Sequence, residues 1–270
     1  MEIDKLISYI NMSKKTVFFG GAGVSTASGL QDFRGSNGLY KEKRKYPPEE
    51  ILSHTFFMKH PDLFYEFYKE KLNSLNYKPN IIHKTLKLME DKNLLSSIIT
   101  QNIDGFDKMA GSRNVLELHG SILRNYCLNC HKFYSGDYVF KSKGTPKCGC
   151  GGIIKPDVVL YEEALDNKIL TEAIKEVSEA DLLIVGGTSL QVYPASSLVT
   201  YFRGKHLVFI NKDETPYDYL ADIVIHDDLV SVFEKINKSI SKYEWKNFYW
   251  LIKAKTLLKS CTFIKQYVIL

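Results

Sequence analysis

Apolar residues along the chain fall into short dense runs, separated by stretches in which they recur every three or four positions. The runs TVFFG (16–20), SSIIT (96–100), VLEL (115–118), VVL (158–160), DLLIVG (181–186), HLVFI (206–210) and ADIVI (221–225) are rich in β-branched and aromatic residues and predict strands. Helical spacing marks Pro61–Leu75, Pro79–Lys92, Asp166–Ser178, Pro194–Phe202 and Leu229–Ile240. Uniformly apolar strands that alternate with helices predict an α/β fold, a doubly wound parallel sheet covered on both faces.

Two stretches break the rhythm. Residues 121–155 are polar, rich in Lys, Gly and Cys, and lack an apolar run long enough for a core, so they read as a small inserted module. In residues 237–270 an apolar stripe of Trp250, Ala254, Leu257, Cys261, Ile264 and Val268 recurs at steps of four and three among scattered lysines. Three readings of this basic amphipathic extension stay open: a helix docked on the body or a partner, a weak membrane-surface helix, or an extension without function. Its lysines interrupt the run too often for a membrane span.

With 270 residues, 44% apolar and 25% charged, the composition is that of an ordinary globular chain. The net charge of +5 is concentrated in the extension, where seven lysines face one acid, Glu244, so the body is close to neutral. No nucleic-acid platform is expected. The opening MEIDKLISYINMSKK mixes acids, bases and apolar residues at helical spacing and reads as a first helix, not an export signal, which suggests a cytoplasmic protein. In that reducing setting four of the five cysteines fall in two close pairs, Cys127–Cys130 and Cys148–Cys150. Two such pairs place four thiolates around a tetrahedral, structural Zn2+, and a segment this polar needs a staple. Four thiolates leave no open position for catalysis.

The candidate chemistry sits at strand ends. Gly20-Gly21-Ala22-Gly23-Val24-Ser25-Thr26 follows the first strand as a glycine-rich turn, where backbone N–H groups and a helix N-terminus approach a pyrophosphate. The strict dinucleotide fingerprint is absent, the next glycine being Gly29, and a glycine-rich connection without a ligand stays open. Asp32-Phe33-Arg34-Gly35 occupies a Gly/Asn-rich loop, and Gln101-Asn102-Ile103-Asp104 follows SSIIT, with helix capping as the plainer role of Asn102 and Asp104. Gly186-Gly187-Thr188-Ser189 closes DLLIV, and Asn211 closes HLVFI. Four such strand ends suggest one shared crevice. His119-Gly120 ends VLEL, where a neutral imidazole is suited to accept a proton near pH 7; a purely structural histidine remains the alternative.

In their order along the chain these segments resemble the sirtuins: GAGVSTASGLQDFRG (21–35), TQNIDG (100–105), LHG (118–120), CLNC with CGC, KPDVVLYEE (155–163), GGTSLQVYPA (186–195) and INKDETPYD (210–218). The resemblance covers about residues 1–236 as a catalytic domain, with the zinc module inserted near 121–155 and the extension at 237–270. It implies a Rossmann-like body, NAD as co-substrate, a structural zinc and acyl-lysine proteins or peptides as substrates. It implies NAD contacts by Gly21, Ala22, Gly23, Thr26, Phe33, Arg34, Gln101, Asn102, Ile103, Asp104, His119, Gly187, Thr188, Ser189, Asn211 and Asp228. His119 would be the general base, with Asn102 and Asp104 ordering the nicotinamide-ribose pocket. The acyl group would pass to ADP-ribose as nicotinamide leaves, with Phe33 shielding the reacting face from water. Val158, Val159 and Leu160 match the family's substrate strand, which pairs with the peptide backbone.

The sequence departs from the family at Gln31, where proline is common, at Asp107, where histidine often stands, and at Tyr161-Glu162, where Phe-Gly is frequent. Glu162 is expected beside the peptide groove, favouring basic flanks. Tyr68 and Lys71 stand where relatives that take acidic acyl groups carry tyrosine and arginine. Lysine lacks the fork that grips a carboxylate, so acetyl is the expected acyl group. An ADP-ribosyltransferase or NAD hydrolase on the same scaffold, or a silent NAD- and zinc-binding module, are the rival functions.

Overall fold

The structure is a computed structural model that describes residues 2–32, 38, 40 and 44–242. Its described strands are β1 (Thr16–Gly20), β2 (Ser97–Thr100), β3 (Val115–Glu117), β4 (Gly120–Cys127), β5 (Phe133–Ser135), β6 (Ile154–Val158), β7 (Leu182–Gly186), β8 (His206–Ile210) and β9 (Ile223–Ile225). Six of them form a parallel sheet in the order β3-β2-β1-β7-β8-β9. The chain winds outward from β1 to one side and then returns to β7 and winds outward to the other. The carboxyl ends of β1 and β7 therefore flank a topological switch point, where a crevice opens in folds of this kind.

Side chains alternate across each strand and feed two cores. On one face Phe18, Ile98, Ile184, Val208 and Ile210 bury against Leu6 and Ile10 of α1 (Glu2–Met12). Later helices join that face beyond the small body's α2 (Pro48–Ile51), α3 (His54–Lys59) and α4 (Pro61–Lys71). They are α5 (Ile81–Asp91), through Ile82, Leu86 and Met89, and the helix over 229–242, through Val232, Phe233, Ile236 and Ile240. On the other face Val17, Phe19, Ile99, Leu183 and Phe209 meet Ala173 and Val177 of the helix Asn167–Glu179 and Leu198 of the 3-10 helix Ala195–Tyr201. Helix α5 starts where Asn80 caps it: the Asn80 side chain accepts from Ile82 N at 2.8 Å and the His83 ring accepts from Asn80 N at 3.2 Å.

The short α6 (Phe106–Met109) packs on α5, and the remaining elements, with the short α7 (Gly136–Lys141), build a smaller body around an antiparallel sheet of order β5-β4-β6. Its Ile122, Cys127, Val139, Cys148, Ile154 and Val158 bury together with Phe56, Phe57, Phe64, Tyr65 and Tyr68 of α3 and α4. The polar stretch 121–155 thus borrows its core from residues some sixty positions earlier. For continuity the helices Asn167–Glu179 and 229–242 are α8 and α9.

Six of the seven expected strands lie in the parallel sheet. The seventh, VVL, does not: β6 begins at Ile154, pairs antiparallel with β4 in the small body and ends at Val158. Its alternation of buried Ile154, Pro156 and Val158 with half-buried Lys155 and Asp157 has period two, but proline and the charges broke the apolar run. Strand β4 was not expected, because GSILRNYC offers little apolar density. The stretch Pro194–Phe202 forms a 3-10 helix, and Pro61–Leu75 ends as a helix at Lys71.

The expected catalytic-domain boundary at 236 falls inside α9, and Ile240 is 1% exposed in the main core. The apolar stripe Trp250–Val268 lies outside the described residues. Ile240→Ala is expected to cost about 2–5 kcal/mol in urea unfolding, as for other buried Ile truncations. An unchanged unfolding midpoint would show that the core ends before this turn.

Candidate active site

At the switch point two glycine turns touch backbone to backbone. A Cβ on Gly21 would stand 2.6 Å from the Thr188 Cβ, and one on Gly23 would stand 2.7 Å from the Gly187 Cα. Gly187 adopts φ +63°. Gly21 N donates to Gly186 O at 3.2 Å and Gly23 N to Gly187 O at 2.8 Å. One expectation is corrected here: the first turn leads into single-turn 3-10 segments, Ala22–Val24 and Thr26–Ser28, and no long helix N-terminus faces the crevice. The Gly23 N–H is taken up by the neighbouring turn, so this loop shapes the crevice by close approach of backbone.

Polar groups from four strand ends interlock around that contact. Asn102 Nδ2 donates to Gly21 O at 3.0 Å and to Ser25 Oγ at 3.1 Å, and Ser25 Oγ donates to Asp104 Oδ2 at 2.7 Å. The second Asp104 oxygen accepts from Phe106 N at 2.9 Å. Burial raises the Asp104 carboxyl above its ordinary pKa, against the lowering effect of the Phe106 N–H and the Ser25 hydroxyl. Gln101 Nε2 donates to Thr188 Oγ1 at 2.9 Å, and Thr188 N donates to Asn211 Oδ1 at 3.0 Å. Buried Ser25 was missed in the sequence; its place inside a glycine turn, facing a carboxylate loop, was the only signal.

His119 joins this network through one hydrogen bond, Nδ1 to Gln101 O at 2.8 Å. A carbonyl only accepts, so Nδ1 carries the proton and the neutral ring offers Nε2 as a base. Burial holds the imidazole below its ordinary 6.5, with the Gln101 carbonyl opposing that shift. The next residue, Gly120, sits at φ +77°, and a Cβ there would come within 1.9 Å of Asp157 O. His119 O in turn accepts from Val159 N at 3.0 Å, so the imidazole's own backbone carries the segment 158–160.

Other expected residues are placed as follows. Ile103 O accepts from Ile122 N at 2.9 Å, and Thr26 Oγ1 donates to Gly23 O at 3.0 Å. Ala22 is half-buried and Ser189 is exposed. Asp228 precedes α9, pairs with Lys212 Nζ at 3.0 Å and is held at a lowered pKa by it. Among the described residues no hydrogen bond joins Asp228 to the Gln101–Thr188–Asn211 network. Phe33 and Arg34 lie outside the described residues. Val158 and Leu160 are buried, while Val159 is half-buried. Tyr68 is fully buried, stacked on Phe64 and on Phe140 at 5.4 Å each, with its hydroxyl unpartnered; Lys71 Nζ pairs with Glu70 at 3.3 Å. Glu162 stands at φ +73°, a backbone state that glycine takes more easily, and its carboxylate accepts from Thr55 N at 2.8 Å. That bond adds a cap to the first turn of α3.

The four cysteines of the small body converge, all Sγ atoms lying within 4.8 Å of one another and neighbouring pairs at 3.5–3.6 Å. Thiolates about 2.3 Å from a tetrahedral zinc stand about 3.8 Å apart, so the cluster fits a structural Zn2+. Among the described residues no helix is long and apolar enough to cross a membrane.

A switch-point crevice lined by amides, hydroxyls and glycine backbone, a buried histidine beside it and a four-cysteine cluster that fits zinc define an NAD-binding enzyme of the Rossmann-like class. The Sir2 family model matches residues 21–194, and the chain belongs to the Sir2 family, the sirtuins. The NAD-dependent protein deacetylase of Clostridium perfringens (strain 13 / Type A) is 54% identical over 239 residues, covering 87% of this chain and 98% of that protein. Among solved structures, a Sir2–p53 peptide–NAD+ complex is 38% identical with a TM-score of 0.79, covering 88% of this chain and 98% of the other. A complex of Sir2 with an inhibitor, 2'-O-acetyl-ADP-ribose and deacetylated p53 peptide is 37% identical with a TM-score of 0.78, covering 87% and 98%.

Behind the crevice Asp107 is 5% exposed and its Oδ1 has no hydrogen-bond partner. Burial, then the charges of Asp104 and Glu117, push its carboxyl up to about 7. The folded protein therefore keeps this proton up to about pH 7, while the unfolded chain releases it near 3.8. More protons on the folded state mean that stability falls as pH rises across that window. Asp107→Asn is expected to stabilise the protein by roughly 1–3 kcal/mol at pH 8 and not at all below pH of about 4, read from urea unfolding at both values. Equal effects at the two pH values would refute the buried-proton account.

Proposed function

We propose that this chain is an NAD-dependent protein lysine deacetylase in which His119 is the general base. The observation that carries the assignment is the His119 Nδ1 to Gln101 O bond, which leaves Nε2 unprotonated at the crevice. Bound NAD supplies the ADP-ribosyl group that accepts the acetyl, with nicotinamide released and O-acetyl-ADP-ribose formed. The chain's own residues do the rest. His119 Nε2 takes a proton from a ribose hydroxyl, and its lowered pKa keeps it competent at neutral pH.

Asn102 and Asp104, tied through Ser25, order the nicotinamide-ribose side, and Ile103 with Asp104 hold the carboxamide. Gly21, Ala22, Gly23, Thr26, Gln101, Gly187, Thr188, Ser189, Asn211 and Asp228 line the rest of the NAD site, and the family resemblance adds Phe33 and Arg34, outside the described residues, as NAD contacts. Residues 158–160 receive the acyl-lysine peptide as an added strand. Tyr68 and Lys71 face the acyl end. The pairing of Lys71 with Glu70 leaves it a poor grip for a second carboxylate, in keeping with acetyl as the acyl group. Residues 1–236 act as the catalytic unit and 121–155 as its zinc module. Free thiolates at the zinc cluster suit the cytoplasm, a reducing compartment.

The test is nicotinamide release from NAD by the purified chain, with and without an acetyl-lysine peptide, beside His119→Ala. Release is expected only with the peptide, together with O-acetyl-ADP-ribose, and is expected to fall by roughly 10²–10⁴ in the variant, the usual worth of a general base. Peptide-independent release would mark an NAD hydrolase or transferase, and no release at all would mark a silent binding module.

A further inference from the structure

The substrate segment is held by more than its own backbone. Strands β4 and β6 pair Ser121 with Asp157 and then Asn125 with Pro156, so residues 122–124 bulge out of β4 between two successive positions of β6. Bulges of this kind re-aim a side chain. Here the side chain is Arg124. Its Nε donates to Asp157 Oδ2 at 2.7 Å, and its Nη1 donates to Glu117 Oε2 at 2.6 Å.

The two carboxylates belong to different bodies. Glu117 ends β3 of the parallel sheet, two residues before His119, and its side chain is only 5% exposed. Its Oε2 also accepts from Lys108 Nζ at 2.7 Å, in the short helix that follows Asp104. Asp157 lies in β6 of the small body, immediately before Val158. The planar guanidinium, with its donors in fixed directions, therefore forms a rigid strut from the edge of the NAD-binding sheet to the root of the peptide strand.

We propose that Arg124 is a positioning residue for the acyl-peptide substrate: through Glu117 and Asp157 it fixes residues 158–160 relative to His119. The inference rests on the reading of 158–160 as the peptide strand. Apart from the strut, that strand is tied to the His119 turn, among the described residues, only by Val159 N to His119 O and by the pairing of Val158 with Gly120. Both ties act at a glycine with φ +77°, a place where the chain swivels easily. The strand's other bonds among the described residues, Lys155 Nζ to Val158 O at 3.0 Å, Leu160 N to Glu163 Oε2 at 2.9 Å and Glu163 N to Leu160 O at 3.0 Å, do not reach the large sheet. Without Arg124 the peptide has to order the strand as it binds, which weakens peptide affinity. The Gln101–Thr188–Asn211 network hangs on the large sheet alone, so NAD affinity is unaffected.

The experiment is steady-state deacetylation by the full chain, varying acetyl-lysine peptide and NAD separately, for Arg124→Ala, Arg124→Lys and Asp157→Asn, with thermal unfolding of each. The expected result is a peptide KM raised about fivefold or more in Arg124→Ala, the low end of a coupling between linked sites. NAD KM and kcat stay within about twofold, Arg124→Lys is intermediate because an ammonium lacks the fork, and Asp157→Asn reproduces the split. An unchanged peptide KM would overturn the proposal, and so would a parallel loss in kcat and both KM values that tracks a fall in Tm. A Val159→Asp variant separates the two readings. If it raises peptide KM while Arg124→Ala does not, the strut alone fails; if neither raises it, the peptide-strand reading fails and the strut with it.

Discussion

The contact between two glycine turns, Gly21–Gly23 after β1 and Gly187 after β7, is the constraint on which the site depends. Backbone meets backbone there at distances that leave no room for a Cβ on either side. The two strands pair in parallel along their whole length, with Gly20 opposite Gly186, and the close approach carries that contact into the turns beyond the ladder. Because the turns are locked, Gly21 O is fixed where Asn102 can donate to it, and Thr188 is fixed where Gln101 and Asn211 can reach it. A crevice of defined width follows from sterics before any ligand enters it.

The second feature is the economy with which the small body is attached. The chain leaves the large sheet at His119-Gly120, so the histidine, the glycine after it and the segment 158–160 are consecutive or directly bonded. Gly120 passes within van der Waals reach of Asp157, which holds the start of β4 against β6 inside the small body. The small body then completes its core with Phe56, Phe64 and Tyr65 and closes its other end with four cysteines. The strand-end network of the large sheet and the segment 158–160 of the small body thereby meet at the seam between them. Carboxylates gather behind that seam, Asp104, Asp107 and Glu117, and only Glu117 is matched by cations, from Arg124 and Lys108.

Much of this was legible in the sequence. The dense apolar runs marked the six parallel strands, because a strand buried on both faces has no room for polar residues, as in TVFFG and LLIVG. The small sheet was not legible. In β4 and β6 half the residues face solvent or the seam, so Arg124, Lys155 and Asp157 disguise the period of two. The cysteine spacing announced the metal cluster, since ligand spacing is local chemistry. The strand-end residues His119, Asn102, Thr188 and Asn211 were found through position and resemblance, and they come together as one network. What sequence did not carry were contacts between distant segments: Ser25 with Asp104, Arg124 with Glu117 and Asp157, and Glu162 with Thr55. Each depends on a backbone direction that no single segment encodes.

The central claim is that His119 is a neutral base whose proton resides on Nδ1. Nitrogen-15 NMR of the imidazole across pH, in the free protein, reads both the tautomer and the titration. The account requires the Nδ1–H form at pH 7.5 and a midpoint below the ordinary 6.5. An Nε2–H tautomer, or a midpoint above 7, would leave no base at the crevice and contradict it.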